Sequence, residues 1–359
     1  MVVQRIWNFA KRHRKKLLAG IVGVSGAGLY YFLRVRLPKL QQDMLENLLK
    51  ELSEGATASS GQDEQQQRRV RFQKHQVVSD SYARRGLPAF LARHGSCFNT
   101  QACHAKVKEA KDKDTKLQAF KELQAECLAL VASSAYALQV ILLLHRVQFN
   151  IAGREVAVRH HDEMMDANEE GSAVMQLIDS TEFFLEQGPA LVSAAARRAV
   201  KEALATANLL PDTAVTAATL SAFFKEVFEK MEPELWADSK GSSLLPPDNA
   251  RLEKVKPFLD EARDYLESPQ LLQVVRAVTA AAAERLPEEL AATRGQAAGL
   301  KAGSVKLALL FGGCMALGRE LLEVEPEASE NAEAAMRAFA DKTVVDQFCE
   351  AIYFQEPQK

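Results

Sequence analysis

From Cys127 to Leu144 the chain runs for eighteen residues without a charge. A run of that kind has two solutions. It crosses a bilayer, or it lies in the middle of a helical bundle with neighbours on every side. In both cases the rest of the chain must be arranged around it. Ser133, Ser134, Tyr136 and Gln139 fall in mid-run, and the charged stretch Lys116–Glu126 leads into it at helical spacing. Polar side chains in hydrocarbon are costly. The expectation is therefore a buried central helix over Thr115–Ile151. The membrane alternative would place everything after it across the bilayer from the helix start.

A second apolar run lies near the start. Leu17 to Leu33 carries no charge, and cations flank it on both sides. Seventeen helical residues rise about 25 Å, slightly short of a hydrocarbon core of about 30 Å. Lys16 and Arg34 can snorkel across the shortfall, and Tyr30 and Tyr31 suit the interface. Ala19, Gly23 and Ala27 recur every four residues, as helix packing in lipid favours. A cleaved signal peptide would have a shorter apolar core and small residues at the cut. A buried helix would not carry uncompensated cations. The run reads as a single membrane anchor.

Charge divides the chain unevenly. The first 39 residues hold nine Lys and Arg and no acid. Removing those nine from 45 leaves 36 basic against 47 acidic residues, a balance of −11. An acidic remainder of this size does not favour nucleic acid as a partner. The five cysteines have no CxxC spacing, and their odd count fits free thiols in a reducing compartment.

Three stretches carry a family resemblance. Trp7-Asn8-Phe9, followed by Lys11, Arg12, His13, Arg14, Lys15 and Lys16, resembles the opening of the peroxisomal biogenesis factor 3 family. Leu144-His145-Arg146-Val147-Gln148-Phe149-Asn150-Ile151-Ala152-Gly153 is similar to that family's Leu-Arg-Val-Gln-Leu-Asn-Ile-Ile-Gly. Ala262-Arg263-Asp264-Tyr265-Leu266-Glu267-Ser268-Pro269 is similar to its Thr-Arg-Asp-Met-Leu-Glu-Ser-Pro. They lie in the family's order and span most of the chain.

The resemblance implies an all-α protein with a single N-terminal transmembrane helix followed by a large elongated helical bundle. Residues 1–16 would be the basic targeting segment, with Lys11, Arg12, Arg14, Lys15 and Lys16 as its signal. Residues 17–33 would be the transmembrane helix, 34–67 an amphipathic stalk and linker, and 68–359 a cytosolic bundle. The family's members sit in the peroxisomal membrane. They recruit a soluble partner, peroxisomal biogenesis factor 19, which delivers newly made membrane proteins for insertion. The partner's helix lies in an apolar groove. Aligned from Arg146-Val147-Gln148, the family's groove tryptophan falls at Phe120, with Lys116, Leu117 and Leu123 beside it. The alternative from the residues alone is that Leu117, Phe120 and Leu123 are ordinary core.

Between these landmarks the chain reads as helices. Leu40–Leu52 is amphipathic. Ser53–Gln67 is polar enough for a disordered or looping linker. Gly86-Leu87-Pro88 predicts a break, with a new helix from Pro88 to about Gly95, and Thr100–Lys111 a further one. Arg154–His160 alternates like a short strand. Ser172–Asn208 is helical with a Gly188-Pro189 break. Helices follow over Thr219–Met231 and Arg251–Leu266. Ser268-Pro269 supplies an N-cap and first-turn proline for a helix through Leu286. Val305–Leu322, with Gly312-Gly313 for close packing, and Asn331–Phe354 complete up to about nine helices.

No chemistry is legible. There is no phosphate-binding glycine loop and no nucleophile elbow. His160-His161-Asp162-Glu163 has adjacent histidines that point apart on a helix, so a solvated loop is expected. His94, Cys97, Cys103 and His104 match no zinc spacing. Neither cofactor nor metal is expected, and Pro357-Gln358-Lys359 is not a peroxisomal matrix signal. The expectation is a docking receptor. A membrane tether, or an anchored enzyme with no recognisable motif, is the alternative.

Overall fold

The structure is a computed structural model that describes residues 61–159, 173, 176–236, 244–247, 255–292, 300, 303–322 and 342–355. The anchor, the amphipathic segment after it, residues 53–60 and His160–Glu163 lie outside the described residues. The described residues are predominantly helical, so the all-α class holds. Residues 69–359 form one compact unit. In chain order the helices are α1 (Gly61–Ser96), α2 (Thr100–Glu109), α3 (Lys113–Arg159) and α4 (Thr181–Thr206). After them come α5 (Ala217–Leu235), α6 (Lys256–Leu266), α7 (Pro269–Ala292), α8 (Phe311–Glu320) and α9 (Lys342–Phe354).

Helix α3 is the axis. It runs 47 residues, about 70 Å, and α2, α4, α8 and α9 pack along it. Among the described residues it is the one helix long and apolar enough to cross a membrane, and its apolar window is wholly covered by neighbours. The uncharged run is thus placed inside the bundle. Its mid-run polar groups explain why. Ser134 donates to the Gly318 carbonyl at 2.6 Å, and Tyr136 accepts from the Trp236 indole at 2.9 Å. These two side chains have protein partners that lipid would not provide, whereas the buried Gln139 Nε2 has none among the described residues.

Several local expectations are corrected. Residues 61–67 belong to α1 rather than to a linker. Gly86-Leu87-Pro88 does not interrupt that helix. Leu87 and Phe90 are fully buried on either side of the proline and hold the helix in line, while Pro88 faces solvent. Gly86 marks a helix contact: a Cβ there would lie 2.8 Å from Leu185 Cδ1. Gly188-Pro189 is likewise inside α4, buried beside Phe184. Residues 154–159 continue α3 and form no strand, because Arg154 reaches from it to Glu261 with two 2.6 Å bonds.

Val305–Leu322 is not one helix. Val305-Lys306 pairs antiparallel with Ala214-Val215, as β2 against β1. A 3-10 turn, Leu307–Leu310, leads into α8. The close-packing glycine is Gly318, whose Cβ would meet Leu130 at 2.7 Å, and Gly312 faces solvent instead. The Ser268 cap is as expected: its hydroxyl accepts from Leu271 N–H at 3.1 Å. All five cysteines are free, four of them buried.

Candidate docking site

The predicted groove residues open α3. Asp112 precedes the helix, and its carboxylate accepts from Thr115 N–H at 2.8 Å. Hydrogen bonding from the Thr115 side chain, with that backbone N–H, holds its pKa below the usual carboxylate range. Lys116 is exposed, Leu117 is 42% exposed and Phe120 is half-buried. Leu123 is 3% exposed and belongs to the core. Residues 117 and 123 are six apart, about 120° of rotation around a helix, so the three apolar residues do not form one outward stripe.

Helix spacing instead links Leu117 with Gln124, seven residues on and on the same face. Gln124 donates to the Leu209 carbonyl at 3.1 Å. This ties the turn after α4 to the first part of α3 and brings in Leu210, 38% exposed. From that turn, the Pro211 carbonyl accepts from Ala308 N–H at 2.8 Å and the Thr213 carbonyl from Leu307 N–H at 3.0 Å. Leu309, 57% exposed, is therefore held against the same turn. Three of the exposed large apolar side chains belong to this one junction of α3, the α4–β1 turn and the 3-10 turn. Lys113, Lys116, Lys121 and Lys306, all exposed, come from the same segments.

Leu210 and Leu309 were not anticipated from the sequence. Leu209-Leu210-Pro211 reads as a helix end and Leu307–Leu310 as part of an apolar helix over Val305–Leu322. Only the long-range carbonyl contacts bring them beside α3.

The two other family-like stretches lie in packing, not at this junction. Arg146 is buried and forks onto Asp80 through Nε and Nη2, both at 2.8 Å, while Gln76 and Asp346 accept from Nη1. Its attachment to Asp80 keeps the guanidinium pKa raised despite desolvation. Gln76 also donates to Asn150 at 2.7 Å, and Gln148 to Ser180 at 2.8 Å. Arg263 binds the Pro246 carbonyl at 2.7 Å, and Tyr265 meets Phe348 edge-on. These polar groups pin α1, α9 and α4 onto α3 and fix helix register.

Among the described residues no cluster of histidine, cysteine and carboxylate groups could hold a metal ion. His94 is buried, bonded to Ser133 Oγ at 2.8 Å and packed against the Phe90 and Phe98 rings. Its nearest cysteine in sequence, Cys97, directs its thiol to the Arg93 carbonyl. The targeting cations Lys11, Arg12, Arg14, Lys15 and Lys16 lie outside the described residues. A scan of the sequence against family models found no match, and a search of curated proteins found none either.

Proposed function

We propose that the chain is a docking receptor of the peroxisomal membrane, without catalytic activity. It recruits peroxisomal biogenesis factor 19, with its membrane-protein cargo, from the cytosol. The junction of Leu117, Phe120, Leu210 and Leu309 is its docking surface. The observation that carries this reading is that Leu117, Leu210 and Leu309, three of the six exposed large apolar side chains among the described residues, belong to segments joined by hydrogen bonds. Scattered single exposures need no explanation, but apolar side chains drawn onto joined segments and flanked by lysines suit a partner. An amphipathic helix fits it, with apolar anchors set on the leucines and acidic side chains toward the four lysines. The three sequence resemblances supply the family, and the basic start with its apolar run supplies the anchor.

The test measures affinity and stability in the same variants. Leu309→Asp changes an exposed side chain and leaves the core alone. Phe120→Ala removes the half-buried aromatic. In the full-length chain in detergent, each variant is expected to bind the soluble peroxin at least about thirtyfold more weakly, the cost of a hot spot worth 2 kcal/mol. Melting temperatures should stay near that of the parent. Parent-like binding by Leu309→Asp, or a collapse of stability in Phe120→Ala with binding kept in the folded fraction, would remove the junction as the docking site.

A further inference from the structure

The turn after α4 sets where Leu210 and Leu309 stand. Helix α4 closes on Ala207, and Asn208 follows with φ at 48°, the one non-glycine residue with a positive φ among the described residues. Leu209 N–H donates to the Leu204 carbonyl at 3.1 Å, and Asn208 N–H to the Ala205 carbonyl at 3.3 Å. This pair of bonds is the closing pattern that a left-handed residue gives a helix end. Glycine adopts that conformation without strain and asparagine with little, whereas a β-branched residue is strained in it.

Further links fix the chain beyond Asn208. Leu209 is buried, and its carbonyl accepts from Gln124 Nε2 at 3.1 Å. Gln124 comes from α3 and is itself buried. Leu210 N–H donates to Thr213 Oγ1 at 2.9 Å, and the Leu210 carbonyl accepts from Thr213 N–H at 3.0 Å. Both backbone polar groups of Leu210 are therefore engaged within the turn. The Pro211 and Thr213 carbonyls then hold the 3-10 turn that carries Leu309.

A chain of dependence results. Leu117 and Phe120 are carried by α3 itself. One buried amide and one left-handed residue place the Leu210 turn against α3, and the carbonyls of that turn place the segment of Leu309. Neither Gln124 nor Asn208 adds apolar surface. A partner helix is bound more tightly by a surface already in place, because ordering a loop on binding lowers affinity. If the competent arrangement is populated only part of the time, affinity falls by that fraction.

We propose, resting on the docking reading above, that Gln124 and Asn208 are positioning residues of the docking junction, acting through the backbone of residues 207–213 rather than by touching the partner. The test uses the full-length chain in detergent, well below its melting temperature. Affinity for the soluble peroxin and amide hydrogen exchange are read on the same samples. Asn208 is exposed, so its variants leave the core alone. Asn208→Gly keeps the left-handed turn and is expected to bind like the parent. Asn208→Val strains it and is expected to bind about tenfold more weakly. Gln124→Met keeps the bulk without the amide donor and is expected to lose affinity several-fold. In both weakened variants exchange over residues 204–213 should quicken, while exchange in α9 stays at the parent rate. A general loss of stability would not produce local loosening with rescue by glycine. Equal losses in Asn208→Gly and Asn208→Val would make the asparagine side chain itself the contact and overturn the positioning role. So would weakened binding with exchange over residues 204–213 unchanged. Parent affinity in Asn208→Val or Gln124→Met, with Leu309→Asp weakened, overturns the positioning role and leaves the docking surface standing. Parent affinity in Leu309→Asp removes the docking surface and the positioning role with it.

Discussion

Gly153 shows how tightly single residues are specified here. A Cβ on it would lie 1.9 Å from His75 Nδ1 and 3.1 Å from the Tyr353 ring. His75 is buried against that glycine, and Tyr353 meets it edge-on at 5.5 Å. The missing side chain thus lets α1 and α9 close onto α3 at one point. Gly153→Ala should gain helix propensity but force the histidine out of place. Overpacking of this kind costs about 1–3 kcal/mol, more than the propensity gain of about 1 kcal/mol. A net loss of stability in denaturant unfolding is expected, and a parent-like midpoint would show that His75 can move freely. The sequence flags Gly153 only as the end of a family-like stretch. Its role is invisible there because His75 is 78 positions away.

At the scale of elements, the contact of α1 with α3 depends on neutral histidines. Burial lowers His75, His94 and His145 from the ordinary 6.5 to about 4 each. Arg71 adds to this at His75 and Arg197 at His94, while Asp80 opposes it at His145. The unfolded chain takes up these protons first. Stability is therefore whole above about pH 6.5 and falls as pH drops toward 4, by up to about 1.4 kcal/mol per unit for each histidine. Burial raises Asp179 to about 6, which acts in the opposite sense, but its exposed position lets solvent screen it. Urea midpoints should fall steeply between pH 6.5 and 5, and less steeply in His94→Gln. A flat profile over that range would mean the imidazoles are not desolvated.

Elements also show where sequence signals mislead. Periodicity found α2, α5, α6, α7 and the axis α3, because each carries a sustained apolar face. Gly86-Leu87-Pro88 and Gly188-Pro189 read as breaks because local chemistry favours one. Buried neighbours on both sides, Leu87 and Phe90 in α1 and Phe184 and Val192 in α4, outweigh the lost hydrogen bond. The β1–β2 pair left no alternating pattern, being two residues on each strand.

For the whole molecule, the proposed location rests on residues 1–39 and is tested apart from the bundle. A reporter carrying those residues should reach peroxisomes. Replacing Lys11, Arg12, Arg14, Lys15 and Lys16 with alanine should misdirect it, since an apolar run alone names no organelle. Peroxisomal delivery of the substituted reporter would refute the signal. The fold class was legible because composition and period agree along the chain. The proposed docking junction was legible only at α3, since the segments of Leu210 and Leu309 join it through carbonyl contacts that no local pattern encodes.

The order in which α3 acquires its neighbours has a bearing on synthesis. Ser134 is bonded to Gly318, 184 positions later, and Arg146 to Asp346, 200 positions later. At about 5–20 residues per second, the ribosome delivers those partners roughly 10–40 s after the most apolar helix of the bundle has been made. Throughout that interval the side of α3 that α8 and α9 will cover, part of a segment that passes for a membrane span, lacks its final neighbours. Its fate before release depends on whatever shields it, and an early stop codon anywhere before α8 would leave that shield permanently needed.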